Sequence, residues 1–140
     1  MLDLHVKQFL IQEAIASSKQ SYSPYSGFAV GAALLTQSGE IIHGANIENI
    51  SFGLSNCAER TAIYTALTSG ISTFKAIAIY SPVAQDYLQP CGACRQVLSE
   101  FVHPDFILLL ANKEGQFIEK TLQEIFPMSF SSLGSAKPSV

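Results

Sequence analysis

The sequence predicts an α/β fold, a three-layer α/β/α sandwich built on one mixed β-sheet. Two observations lead there. Short apolar segments of strand length alternate with stretches of helical periodicity, so the helices that connect strands must pack on both faces of a sheet. The chain has 140 residues, the length of one domain, and buries roughly 70% of its unfolded surface, enough for a core without disulfide support.

The elements follow in order. Leu4, Phe9, Leu10, Ile11, Ala14 and Ile15 recur at helical spacing behind Asp3, a natural cap, and predict a helix over residues 3–20. Tyr22-Ser-Pro-Tyr-Ser-Gly27 is a loop by its proline and glycine. Residues 28–36 read as a strand, Gln37-Ser-Gly39 as a turn, and residues 40–45 as the hairpin partner. The polar, glycine-containing stretch 46–56 is a loop. The next helix spans 57–69, with Asn56 as its N-cap and Gly70 as its stop. Residues 74–80 are a buried strand, 81–90 a loop, 91–101 a short helix and 106–110 another apolar strand. Lys113-Glu-Gly115 is a turn, and residues 121–126 form a helical turn before Pro127. The tail over residues 131–140, rich in Ser, Gly and Pro, is expected to be loose. With no repeat, linker or low-complexity block, residues 1–140 read as one domain.

Composition excludes several classes. Net charge is −3 with Lys and Arg scattered, so no electrostatic footprint for nucleic acid is present. The longest apolar run, residues 106–111, is far too short to cross a bilayer, and no signal-peptide pattern opens the chain. No membrane association and a cytoplasmic location are therefore expected. Charged residues make up only 14% and mean hydropathy is +0.26, below the usual ~25% charged. So few charges suggest surface hidden in an oligomer.

Three cysteines, an odd number, argue against a disulfide framework and for thiolates at a metal or catalytic site. In Cys91-Gly-Ala-Cys94, residues i and i+3 share one side of a helix, so both sulfurs converge on one ion. Pro90 marks a helix start, where amides and the dipole favour thiolate over thiol. Alone, such a pair fits a redox couple equally well; Cys57, at the start of another helix, tips the balance to metal. Zinc is the natural occupant of a sulfur-rich site. Structural zinc sites take four protein ligands, whereas catalytic ones take three and keep an open position. His5, His43 and His103 are each isolated from the cysteines in sequence. Three ligands remain, and they imply one catalytic zinc per chain.

Glu59 has two readings. Asn56-Cys-Ala-Glu59 fits the N-cap and N3 positions of a capping-box variant; otherwise its carboxylate sits beside the zinc water as a proton carrier. The three-thiolate site favours the proton carrier. Three thiolates on Zn²⁺ leave a net negative charge, which weakens the pull of the ion on water, and a guanidinium donating to the sulfurs restores it. The chain's two arginines each follow one of the motifs. Arg60 is assigned this supporting role, and that of Arg95 stays open. Asn46 and Glu48 by themselves read as turn-forming polar residues, and Phe28 as core.

At these motifs the chain resembles the zinc deaminases, which combine a ligand-x-Glu element with Pro-Cys-x-x-Cys and use the Glu as general acid/base. It is more similar still to the small cytidine deaminases. Residues 22–34, Gly44-Ala-Asn-Ile-Glu-Asn49, Cys57-Ala-Glu-Arg-Thr-Ala-Ile63 and Pro90-Cys-Gly-Ala-Cys-Arg-Gln96 resemble that family's four blocks in order. The resemblance implies a cytidine deaminase-like sandwich and hydrolysis of cytidine and 2′-deoxycytidine to uridine and 2′-deoxyuridine with release of ammonia, in pyrimidine salvage. It implies Cys57, Cys91 and Cys94 as zinc ligands, Glu59 as proton shuttle, Asn46 and Glu48 as ribose ligands and Phe28 packing on the nucleoside. Ile125-Phe-Pro-Met-Ser-Phe130 is similar to the family's Leu-Leu-Pro-x-x-Phe, whose last Phe stacks on the base in a neighbouring subunit's site. Phe130 would then complete a second chain's site within a homotetramer. Phe126 stands where the family has Leu, and Ala45 where it often has Cys, a lost thiol but no lost catalytic group.

Two rival readings remain. A zinc module that uses metal only to fold needs a fourth ligand, for which the sequence offers no candidate. A deaminase of another aminated heterocycle, such as a blasticidin-type nucleoside analogue or a free base, shares the metal blocks but is not expected to need the combination of Asn-Ile-Glu-Asn with Cys-Ala-Glu-Arg. A polynucleotide-editing relative would want a basic groove, which a pI near 5.5 does not offer.

Overall fold

In the computed structural model, which describes residues 1–134, a five-stranded sheet runs in the order β2-β1-β3-β4-β5. Its strands are β1 (Gly31–Thr36), β2 (Ile41–Ala45), β3 (Phe74–Tyr80), β4 (Ile107–Ala111) and β5 (Phe117–Thr121). The helices are α1 (Leu4–Ser18), α2 (Ala58–Thr68), α3 (Gly92–Phe101) and the short α4 (Leu122–Ile125). β3 and β4 pair in parallel, while β1–β2, β1–β3 and β4–β5 are antiparallel. The mixed sheet is as expected.

Period-two alternation sorts the strand side chains into two cores. Ala32, Leu34, Ile77, Ile79, Leu108 and Leu110 face Ala62 and Ile63 of α2 and Leu98 of α3. Ala33, Leu35, Ala76, Ala78 and Leu109 face Leu10, Ile11 and Ala14 of α1. Helices therefore cover both faces, which is why β3 and β4 read as unbroken apolar runs. The close approach of helix to sheet needs glycine twice. A Cβ on Gly31 would run into the backbone of Ala14 and Ser18, and one on Gly44 into that of Ala58 and Ala62.

The differences from the sequence reading are local. The strand expected over 28–36 begins at Gly31, because residues 21–30 are held by side chains described below. β5 covers residues 117–120, to which the sequence assigned no element, and Thr121, expected to open a helical turn. Its residues are only partly buried or exposed, so it lacks the alternation that marks a half-buried strand; pairing with β4 makes it a strand. Asn56 is not the N-cap of α2. It exchanges backbone hydrogen bonds with Ile47, and its Nδ2 donates to Thr61 Oγ1 at 3.1 Å, leaving Cys57 to cap the helix. The loose tail falls largely on residues 135–140, outside the described residues; residues 131–134 form no helix or strand.

Candidate active site

β2 and β3 point the same way, and the helices that follow them, α2 and α3, pack side by side on one face of the sheet. The N-termini of both helices therefore meet beyond the C-terminal ends of these strands, where open α/β sheets bind their ligands. Cys57 is the N-cap of α2 and Cys91 that of α3, both extended. Cys94 follows one turn into α3, and its backbone N–H donates to Cys91 Sγ at 3.4 Å.

The three sulfurs converge. Cys57 Sγ and Cys91 Sγ are 3.7 Å apart, Cys91 Sγ and Cys94 Sγ 3.5 Å apart, and all lie within 4.8 Å of one another. Tetrahedral zinc with Zn–S bonds of ~2.3 Å wants sulfurs about 3.8 Å apart, so the donor set fits the ion in both chemistry and spacing. The group holds no histidine among the described residues; His43 instead pairs with Glu13 at 2.6 Å. Three protein ligands is thus the number the site offers.

Electrostatics favour thiolate at Cys57. Arg60 Nη2 donates to Cys57 Sγ at 3.1 Å. Hydrogen bonds from Cys94 and from Arg60 pull the Cys57 thiol down to about 5, while Cys94, the buried donor, is pushed up. Glu59 occupies the second helical position of α2 and is 5% exposed. Burial, reinforced by the negative charge of Cys57, raises its carboxyl to about 7. A carboxyl titrating near neutrality both takes and gives protons. With Cys57 as N-cap, Glu59 is one position short of the capping-box site, so the helix-cap reading fails on geometry.

Cys57 and Cys91 open on a cavity of about 400 Å³ lined also by Phe28, Asn46, Glu48 and Glu59, among others. That volume suits a small ligand. A larger depression, about 700 Å³, lies at the opposite end of the sheet around Gln37, Phe74 and His103. It holds none of the three cysteines, so the chemistry lies in the smaller one. Asn46 and Glu48 reach the cavity from the loop after β2 and strap down residues 21–30. Asn46 Oδ1 accepts from Ser21 Oγ and from Val30 N–H, and its Nδ2 donates to Phe28 O at 2.8 Å. Glu48 accepts from Tyr25 N–H and Ser26 N–H, both at 3.1 Å, and from the Ser26 hydroxyl, which holds its carboxyl below the usual range.

Phe130 is not in this cavity; it stands 67% exposed. Sequence reasoning missed Ser26, Leu88 and Gln89, which also line the wall. Ser26 lay within a quoted block and was legible there, whereas Leu88 and Gln89 carry no local signal. Arg95, left open above, does not touch the sulfurs. It donates to Pro90 O at 3.0 Å and to Ile125 O at 2.6 Å.

Residues 4–110 match the family described as the cytidine and deoxycytidylate deaminase zinc-binding region. The chain belongs to this family. A cytidine deaminase of Halalkalibacterium halodurans is 46% identical over 126 residues, 90% of this chain and 95% of that one. One from Sporosarcina psychrophila is 44% identical over 122 residues, covering 87% and 89%. The crystal structure of a Burkholderia pseudomallei cytidine deaminase superimposes with a TM-score of 0.85 at 41% identity, covering 92% of this chain and all of that one. A blasticidin-S deaminase of Bacillus cereus is more distant, 32% identical over 109 residues. This deaminase therefore has the family's fold, and its three-cysteine cluster is compatible with a zinc site. Among its described residues no helix is long and apolar enough to cross a membrane.

Proposed function

We propose that this deaminase hydrolyses cytidine and 2′-deoxycytidine to uridine and 2′-deoxyuridine, releasing ammonia. The observation that carries the reading is one cavity lined by Cys57 and Cys91 of the three-thiol cluster, by a buried carboxyl titrating near neutrality and by Asn46 and Glu48. Cys57, Cys91 and Cys94 hold the zinc, with Arg60 donating to Cys57. Bound zinc supplies Lewis acidity, bringing the pKa of a coordinated water to ~7. Glu59 takes one proton from the water as the water oxygen bonds to C4 of the base and places it on N3; it then takes the proton of the resulting C4 hydroxyl and passes it to the amine, which leaves as ammonia as C4=O forms. Asn46 and Glu48 hold the ribose, and Phe28 packs against the nucleoside.

Assembly belongs to the same reading. Ile50, Phe52, Leu54, Met128 and Phe130 are 67–93% exposed, and large apolar side chains left open to water in two short stretches suit association surfaces. A homotetramer that brings Phe130 of one chain to the cavity of another covers such surface and supplies a second aromatic ring beside Phe28. A cytoplasmic location completes the proposal. Incubation of the purified protein with cytidine tests it, following loss of the cytosine ultraviolet band alongside zinc content. About one zinc per chain and band loss are expected. Full turnover in zinc-free protein overturns the mechanism. Turnover of a blasticidin-type analogue but not of cytidine transfers the assignment to the other deaminase reading.

A further inference from the structure

Helix α3 carries two of the three clustered thiols at its start, and its next two residues reach away from them. The Arg95 guanidinium spans Pro90 O, just before Cys91, and Ile125 O, the last residue of α4. Beside it, Gln96 Nε2 donates to Phe130 O at 3.0 Å. Two consecutive side chains thus hold both ends of the arm 125–130. The start of α4 is fixed elsewhere. Thr121 and Glu124 form a capping box, Leu122 is buried, and Leu122 N–H and Gln123 N–H donate to Phe106 O and Pro104 O. Beyond Phe126 the arm turns outward, with Met128 93% exposed, and its course there is set from α3. The first turn of α3 is in turn what a zinc ion would fix, since it would join Cys91 and Cys94 to Cys57 of α2.

The geometry points to Arg95 and Gln96 as positioning residues that tie the arm bearing Phe130 to the zinc-binding turn, so that filling the zinc site orders the arm. A planar guanidinium suits the task because its fork reaches two carbonyls in fixed directions, which a lysine ammonium does not. The inference rests on zinc at the three cysteines and, for its consequence in a neighbouring site, on the proposed role of Phe130. Coupling of this kind is reciprocal: zinc orders the arm by the same factor by which an ordered arm tightens zinc binding.

Chymotrypsin cleavage after Phe130, followed by mass spectrometry, reads the arm directly. It is measured in zinc-loaded wild type, Gln96→Ala and Arg95→Lys, with zinc content and light scattering on the same samples. Loss of one hydrogen bond should speed cleavage roughly 2- to 12-fold in Gln96→Ala, with zinc content unchanged at saturating metal. Chelation should speed cleavage in wild type by at least that factor and add less in Gln96→Ala, because the connection is already cut. Chelator competition should show weaker zinc binding in both variants. If chelation unfolds the chain, new cleavage at core residues such as Phe74 reveals it, and the zinc-loaded variants with their zinc affinities decide. Variants that cleave at the wild-type rate and hold zinc as tightly overturn the inference. A monomeric mass with accelerated cleavage would instead refute the tetramer and leave the tie between arm and zinc turn standing.

Discussion

Replacement of Glu59 by Gln separates the chemistry of the site from its architecture. Glu59 is 5% exposed at the second position of α2, and Gln fills the same volume, so the packing beneath the cavity is retained. No atom of Glu59 belongs to the three-sulfur group, so zinc content should stay at one per chain. What Gln lacks is the ability to accept a proton. A positioned general acid–base group contributes ~10²–10⁴-fold, and in the proposed mechanism this single carboxyl serves every proton transfer, so the loss belongs at the upper end. A fall in kcat of about 10⁴ corresponds to ~5.4 kcal/mol of transition-state stabilisation. Loss of the cytosine ultraviolet band at saturating cytidine measures it, with metal analysis on the same sample. A Glu59→Gln enzyme with full zinc and more than a tenth of the wild-type kcat would refute the assignment and leave Glu59 a buried helix residue.

Three further outcomes are expected. Cys91→Ala or Cys94→Ala should lose zinc and turnover together, by metal analysis and the same optical assay; activity surviving without metal would contradict the three-thiolate site. Glu48→Ala should lower kcat/KM for cytidine by ~10–150-fold, the range of a hydrogen bond to a charged group, with zinc unchanged and free cytosine, a poor substrate already, affected far less. Equal effects on nucleoside and free base would remove Glu48 from the ribose. The wild type should scatter light with a mass about four times 15.1 kDa, and Phe130→Ala should raise KM, since base stacking is worth ~1–3 kcal/mol. A fully active monomer would end both the tetramer and the shared site.

The layers of the fold and the metal cluster were legible in the sequence because short-range patterns encode them. Strand apolarity, the spacing of Cys91 and Cys94, and Pro90 before them are local signals, and each led to the right element. Only convergence with Cys57, 34 residues upstream of Cys91, depended on topology, and the four ordered blocks stood in for it. What stayed illegible is set by partners distant in sequence. β5 is a strand because β4 presents a free edge, not because Phe117–Thr121 alternates. Arg95 looked like a candidate for the sulfurs by adjacency to Cys94, yet its guanidinium turns to carbonyls at Pro90 and Ile125. Asn56 looked like a helix cap until a backbone pairing with Ile47 claimed it.

The hydrogen bonds of Asn46 and Glu48 decide whether the cavity wall they line could also take a sugar, as the proposed function requires. Both side chains looked like turn formers in the sequence and candidate sugar ligands by resemblance, and those roles compete only if the loop consumes every donor and acceptor. It does not. A side-chain amide has two N–H donors and a carboxylate about four acceptor positions. Asn46 commits one N–H to Phe28 O, and Glu48 accepts from Tyr25 N–H, Ser26 N–H and the Ser26 hydroxyl. One donor on Asn46 and about one acceptor position on Glu48 are left, a pair able to give to and take from sugar hydroxyls. The loop bonds hold both groups in place before any ligand arrives, so binding a ribose need not break them, and little ordering cost falls on the complex. An aminated base without its sugar would leave that pair to water and forgo its contribution. In the proposed function, turn-forming and substrate-binding are one arrangement on this wall.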